Sequence, residues 1–171
     1  MSICNRKLID EYKRIITASI ILCFVVTTLA YAQTVEDYFN SGKAKYKLKD
    51  YKGALQDFNK AIELNPKYPE AYNNRGVAKS NLEDFSGAIQ DYNKAIELNP
   101  NLADAYNNRG IAKVELGDYS GAIQDYTKAI ELNPNHAYAY YSRGNAKAQL
   151  QDYRGAMQDY IKANEINRNK P

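Results

Sequence analysis

The hexapeptide GAIQDY occupies residues Gly87 to Tyr92 and occurs again, unchanged, at Gly121 to Tyr126. Two close relatives of it, GALQDF and GAMQDY, are also present in the chain. The four copies are 34 residues apart, as measured at their shared alanines: Ala54, Ala88, Ala122 and Ala156. A fixed period of this length is typical of a stacked repeat protein, because one unit is too small to bury its own apolar face without a neighbour.

Most of the chain divides into four units on this period: residues 35–68, 69–102, 103–136 and 137–170. In the second unit, Tyr72 and Gly76 are four residues apart and therefore share one stripe of a helix. Ala88, Tyr92 and Ala95 form a second stripe at the spacing i, i+4, i+7. Each unit is therefore predicted to be two amphipathic helices packed as an antiparallel hairpin.

Capping residues mark the ends of the second helix in each unit. One aspartate precedes this helix in every unit, where its carboxylate can accept from free N–H groups: Asp50, Asp84, Asp118 and Asp152. Asn-Pro pairs follow the helix in three units, and proline cannot continue the hydrogen-bond ladder: Asn65-Pro66, Asn99-Pro100 and Asn133-Pro134. We predict an N-cap at each aspartate and a helix stop at each pair.

In this register the chain resembles the tetratricopeptide repeat family, whose pattern is an aromatic residue, glycine, alanine, an aromatic residue, alanine and proline. The second unit carries that pattern as Tyr72, Gly76, Ala88, Tyr92, Ala95 and Pro100. The first unit departs from it at Ser41, and the last unit has Arg168 in place of the proline. The resemblance implies an all-α fold, a right-handed α-solenoid of four antiparallel helix hairpins.

Residues 1–32 differ in composition from the repeats. A basic start is followed by an uncharged apolar run from Ile15 to Ala30 and then by the small-x-small sequence AYA, Ala30 to Ala32. This pattern predicts a signal peptide, so that the mature chain begins near Gln33 and is exported to the periplasm or secreted. The alternative is an uncleaved membrane anchor over residues 15–32, although the run is shorter than the about 20 residues of a spanning helix.

The sequence offers no catalytic, cofactor or metal motif, and an enzyme is not expected. Both cysteines, Cys4 and Cys23, lie in the leader, so no disulfide or thiol chemistry is predicted for the repeats. The single histidine, His136, has no metal-ligand spacing around it and is interpreted as a turn residue. The formal net charge is +3, of which the leader supplies +2, four basic against two acidic residues. A nucleic-acid partner is therefore not expected.

The first helices of such an array are expected to line a concave groove that binds a peptide or a helix of a partner protein. Eight side chains on these helices are predicted to face it: Phe39, Lys43, Asn73, Val77, Asn107, Ile111, Tyr141 and Asn145. The asparagines can bond to a peptide backbone or simply belong to the scaffold. The family's clamp for chaperone C-terminal carboxylates is not expected, because Asp104 and Tyr138 stand where it would have lysine. A lysine run from Lys43 to Lys52 is interpreted as a solvated face.

Arginine and aspartate also recur with the repeat. We hypothesise that each arginine pairs with the aspartate of the preceding unit, giving a ladder that sets the stacking register: Asp57 with Arg75, Asp91 with Arg109, and Asp125 with Arg143. The first unit carries Ser41 in place of the arginine, as expected if nothing precedes it.

The last unit differs at one position that would face a following unit. Asn164 stands where the other units have Ile62, Ile96 and Ile130, and a polar residue suits the end of an array. Met157 and Ile161 remain on the outer face of the same helix. Two functions are thus left open, a peptide-binding scaffold and a structural protein that self-associates weakly through this end.

Overall fold

The computed structural model describes residues 13–20 and 35–169. Residues 13–20 are helical, and residues 35–47 form helix α1 of the array. Seven further helices follow: α2 Tyr51–Leu64, α3 Pro69–Asn81, α4 Phe85–Leu98, α5 Ala103–Glu115, α6 Tyr119–Leu132, α7 Ala137–Gln149 and α8 Tyr153–Arg168. No strand occurs in the described ranges, so the predicted all-α solenoid of helix hairpins is confirmed.

Each pair of helices is held by a glycine that lies under an aromatic ring. A Cβ built on Gly110 would lie 2.7 Å from Cε1 of Tyr126, a distance that ordinary packing does not allow. The tyrosine ring is only 2 % exposed, because it fills the space that the missing side chain leaves. The same contact recurs in every unit: Gly42 with Phe58, Gly76 with Tyr92, and Gly144 with Tyr160.

The predicted helix ends are confirmed. In each second helix the capping aspartate accepts a hydrogen bond from a glycine N–H three residues on, for example from Gly121 to Asp118 at 2.8 Å. Helices α2, α4 and α6 all end on the leucine before an Asn-Pro pair. The asparagine side chain then accepts from the backbone two residues later, as Asn99 does from Asn101 at 3.1 Å. Cap and stop together fix the length of the hairpin.

A left-handed residue closes the turn inside each hairpin. Gly117 has φ of +80°, but the equivalent residues Lys49, Glu83 and Gln151 have φ of 62°, 64° and 64° with a side chain present. After α3, Glu83 N–H donates to Ser80 and Asp84 N–H donates to Lys79, which is a Schellman closure. The conformation is thus imposed by the helix end at some strain.

Replacing Glu83 with glycine is expected to raise the free energy of unfolding by about 0.5–1 kcal/mol, because glycine adopts a positive φ without the Cβ clash. Urea denaturation followed by circular dichroism measures the change. The reverse substitution, Gly117→Glu, serves as the control and is expected to lower stability by a similar amount. A stabilising effect of both changes would contradict this explanation.

Within the described ranges, no helix is both long and apolar enough to cross a membrane. The predicted cleavage site and most of the apolar run lie outside the described residues. The signal peptide and the anchor therefore stay predictions.

Candidate peptide-binding groove

The first helices of the hairpins lie on the inner side of the stack. Helix α3 contacts α5 and α5 contacts α7, whereas α4 has no such contact with α6, nor α6 with α8, in the described array. Helices that approach one another across units are on the side of smaller radius. The concave surface is therefore built from the odd-numbered helices.

A buried ion-pair network joins the two helices of each unit and corrects the predicted ladder. Arg109 donates from Nε to Asp125 Oδ2 at 2.9 Å, and Lys113 Nζ lies 2.8 Å from the same oxygen. Arg75 pairs likewise with Asp91, and Arg143 with Asp159. Each arginine thus binds the aspartate of its own unit. The hypothesis that pairs Asp57 with Arg75, Asp91 with Arg109 and Asp125 with Arg143 is wrong.

The link between units exists, but it is made to a neutral side chain. Arg109 Nη1 donates to Asn93 Oδ1 of the preceding unit at 2.6 Å. The equivalent bonds run from Arg75 to Asn59 and from Arg143 to Thr127. The guanidinium of Arg109 contacts two partners, Asp125 and Asn93, which lie 16 residues after it and 16 residues before it in the sequence. Asp91, the aspartate of the preceding unit, lies two residues further from Arg109 in the sequence than Asn93 does. One guanidinium therefore holds its own hairpin and fastens it to the unit before.

The first unit keeps the carboxylate and replaces the arginine. Ser41 donates from its hydroxyl to Asp57 Oδ2 at 2.6 Å, and Lys45 lies 2.7 Å from the same oxygen. The residue 16 positions before Ser41 is Val25, which has no side-chain acceptor like that of Asn59 or Asn93. The hydroxyl satisfies the aspartate without adding a charge that needs another partner.

In the last unit the network keeps the carboxylate of Asp159 ionised. Burial opposes the charge on Asp159, but hydrogen bonds and charges from Arg143 and Lys147 outweigh it and hold the pKa of this aspartate below its usual value. A pKa that is lower in the folded chain means that ionisation stabilises the fold above the ordinary carboxyl range. We expect this contribution to disappear as the pH falls through the folded-state pKa.

The predicted groove residues are not equally open to a ligand. Phe39 is 7 % exposed and packs against Phe58 and Tyr68, so it lies in the core. Lys43 is exposed, with its ammonium 5.3 Å from the centre of the Phe39 ring. Val77 and Ile111 are half-buried. The binding role of these side chains remains a prediction.

The asparagines of the middle units have different surroundings. Asn108 donates to Asn73 Oδ1 at 3.1 Å, and Asn74 donates to the carbonyl of Glu70 in its own helix. Asn107 is 5 % exposed, and its buried Oδ1 has no hydrogen-bond partner. These bonds give Asn74 and Asn108 scaffold roles, while the amide nitrogen of Asn73 keeps donors that a ligand can use.

Two aromatic rings meet at the C-terminal end of the surface. Tyr141 is 51 % exposed, and its ring lies 5.6 Å from that of Tyr160 at a tilt of 44°. Tyr160 donates its hydroxyl proton to Asn145 Oδ1 at 2.9 Å. Tyr141 and Asn145 are therefore positioned by the last helix, which fixes the shape of this end.

Beside these rings lies a cavity of about 490 Å³ between α5, α7 and α8, which we call the C-terminal cavity. Its lining residues are Asp104, Asn133, Asn135, His136, Ala137, Tyr138, Tyr141, Ala163, Asn164 and Asn167. His136 caps α7, because its Nδ1 accepts from the N–H of Ala139, which agrees with its interpretation as a turn residue. The side chains described here include no group of three or more residues suited to bind a metal.

The outer face of α8 has apolar side chains in contact with solvent. Met157 is 60 % exposed and Ile161 is 52 % exposed. Ile161 stands at the position where the inner units have Asn59, Asn93 and Thr127, the residues that receive the next arginine. The last unit thus lacks the polar group that fastens a following repeat.

Comparison with known proteins agrees with this architecture. Family models described as tetratricopeptide repeats match residues 69–102, 103–136 and 125–158, and a model described as a TPR repeat matches residues 42–83. No curated protein matches the chain.

Several solved structures are similar to the chain. The crystal structure of MamA is 26% identical, with a TM-score of 0.74, over 98% of this chain and 96% of that chain. The first TPR of Spaghetti (RPAP3), bound to the HSP90 peptide SRMEEVD, is 28% identical with a TM-score of 0.68, over 70% and 94%. The Arabidopsis OM64 TPR domain is 29% identical with a TM-score of 0.68, over 70% and 98%.

Proposed function

Because the chain belongs to the tetratricopeptide repeat family, we propose that it is a non-enzymatic scaffold that binds a peptide or a helix of a partner protein in its concave groove. The observation that carries the proposal is that the buried charged groups pair with one another, whereas the exposed polar groups remain available to a ligand. The buried charges of the inner units are consumed by the ion-pair network. The side chains left over on the odd-numbered helices can serve recognition.

The chemistry of these side chains suits an extended peptide. Asn73 can donate to a peptide carbonyl, whereas Val77 and Ile111 are half-buried and offer apolar contact. A groove that spans several units presents such groups along its length, and specificity then depends on their order. The structurally similar first TPR of Spaghetti (RPAP3), which is bound to an HSP90 peptide, gives a precedent for a peptide on this fold.

Site-specific photocrosslinking tests the proposal. A benzophenone amino acid placed at Val77 or Ile111 in the full chain is expected to crosslink to one dominant partner in extracts of the source cells. The control position is Gln124, which is exposed on the second helix α6 and so lies on the outer side. Asn73→Ala is expected to weaken the crosslink. Equal crosslinking from the groove and from Gln124 would contradict a groove-binding function.

We propose further that the scaffold works outside the cytoplasmic membrane, since residues 1–32 have the composition of a cleavable export signal. N-terminal sequencing of the protein from cell fractions tests this. A chain that begins near Gln33 in the soluble envelope fraction is expected. A full-length chain in the membrane fraction would support the uncleaved anchor instead, and a full-length chain in the cytoplasm would oppose both.

A self-associating structural role is the alternative, and the exposure of Met157 and Ile161 favours it. Light scattering on residues 33–171 at several concentrations separates the two functions. A mass that rises with concentration and falls back in an Ile161→Asp variant would support self-association. A constant monomer mass would oppose it and leave the groove as the working surface.

A further inference from the structure

The C-terminal cavity combines one carboxylate with two exposed aromatic rings. The Asp104 side chain is 72 % exposed, and Tyr138 and Tyr141 are 56 % and 51 % exposed. All three line the same cavity, where α5 contributes the acid and α7 the rings. No lysine or arginine is among the side chains that line it. The cavity therefore has a negative group without an adjacent strong cation.

His136 lies beside this carboxylate and, in its neutral form, does not cancel its charge. Its Nδ1 accepts the hydrogen bond from the N–H of Ala139 at 3.3 Å, so in the neutral ring the proton is on Nε2. That nitrogen lies 3.5 Å from Asp104 Oδ1 and can direct its N–H toward it. The hydrogen bond from His136 lowers the pKa of Asp104. In its neutral form the histidine thus supports the ionised carboxylate and leaves the negative charge of Asp104 in the cavity.

The exposed charges of the concave surface also differ between its first and third units. The exposed charges of α1 are balanced, with Glu36 and Asp37 against Lys43 and Lys47. Those of α5 are both acidic, Asp104 and Glu115. The arginines and lysines of α5 and α7 form ion pairs with Asp125 and Asp159. A bound segment would therefore meet exposed negative charge at the third unit, where no exposed lysine or arginine of α5 offsets it.

We propose that the C-terminal cavity binds an arginine or lysine side chain of the partner peptide, with Asp104 as the counter-ion and Tyr138 and Tyr141 as the aromatic walls. A cation gains from a carboxylate and from the face of an aromatic ring, so this set of groups selects for positive charge. The volume of about 490 Å³ accommodates the whole of either side chain. The inference rests on the proposed groove function and assigns one residue type to one end of the ligand.

A small cation tests the site without the unknown partner. The full chain is titrated with N-acetyl-arginine amide, and the ring signals of Tyr138 and Tyr141 are followed by NMR. We expect a saturable shift, and no comparable shift with N-acetyl-citrulline amide, which has nearly the same shape and no charge. Asp104→Asn is expected to weaken binding about fivefold, the scale of one exposed charge interaction. The same loss is not expected for a distant acid.

Glu70 supplies the matched control. It stands 34 residues before Asp104, at the same place in the second unit, but the unit that follows it has Asp104 and Asn107 where the cavity has tyrosines. Glu70→Gln should leave binding unchanged, and Tyr141→Leu should weaken it. Equal binding of the citrulline amide, an equal loss in Glu70→Gln, or the absence of a saturable shift would each overturn the proposal. Such a result would leave crosslinking from Val77 and Ile111 unaffected, so the groove function is tested separately.

Discussion

Replacing Tyr126 with alanine is expected to lower the free energy of unfolding by about 3–5 kcal/mol, the usual cost of removing a large buried ring. The ring is 2 % exposed and lies against Gly110 of α5. It also belongs to the cluster that contains Ala122 of its own helix and Ala146 of the next unit. Its loss therefore leaves a cavity at the point where two units meet. Urea denaturation followed by circular dichroism measures the effect.

Two further variants connect the loss to this contact. Tyr126→Phe is expected to cost little, because the first unit already has Phe58 at the same place. Gly110→Ala should destabilise the normal chain by overpacking, but should be tolerated once Tyr126 is alanine. Additive effects of the two substitutions would show that the glycine and the ring do not depend on each other. Tyr153, which is 68 % exposed, gives a surface control in which alanine should change little.

The sequence predicts the hairpins because each rule involved is local and is repeated. A capping aspartate such as Asp118 needs only the N–H groups of its own helix, and an Asn-Pro pair stops the helix it follows. The spacing of Gly110 and Tyr126 recurs in every unit, so the packing of the two helices can be inferred from one unit. Chemistry that is confined to one hairpin is thus readable from residue spacing.

Contacts between hairpins are harder to predict from residue spacing, because they depend on the rotation of one unit relative to the next. Arg109 has a candidate acceptor both in its own unit and in the preceding one, and spacing alone does not decide between Asp125 and Asp91. The burial of Asn107 and of Phe39 is likewise a property of the stack. The C-terminal cavity could have been suspected from an acid at Asp104 and tyrosines one unit later, but only the stacked helices bring them together.

Replacing Asp125 with alanine is expected to lower the free energy of unfolding by about 3–5 kcal/mol, since it leaves two cations without their counter-ion. Asp125 is 4 % exposed, and the side chains of Arg109 and Lys113 are 18 % and 21 % exposed. Neither cation can reach solvent fully without releasing other contacts. Arg109 would have to leave Asn93, and with it the junction to the second unit. Urea denaturation gives the loss, and hydrogen exchange should show it concentrated in the second and third units.

The equivalent aspartate of the first unit provides a control for the Asp125 prediction. Asp57 has the same place there, but its partners are the hydroxyl of Ser41 and Lys45, whose side chain is 37 % exposed and can turn to solvent. Asp57→Ala should therefore cost clearly less than Asp125→Ala. A variant with Asp125→Leu, Arg109→Met and Lys113→Met should recover much of the loss, because the cost comes from stranded charge and not from the missing carboxylate itself. If the triple variant is as unstable as Asp125→Ala, the hydrogen bond from Arg109 to Asn93 holds the junction, and the ion pair contributes little.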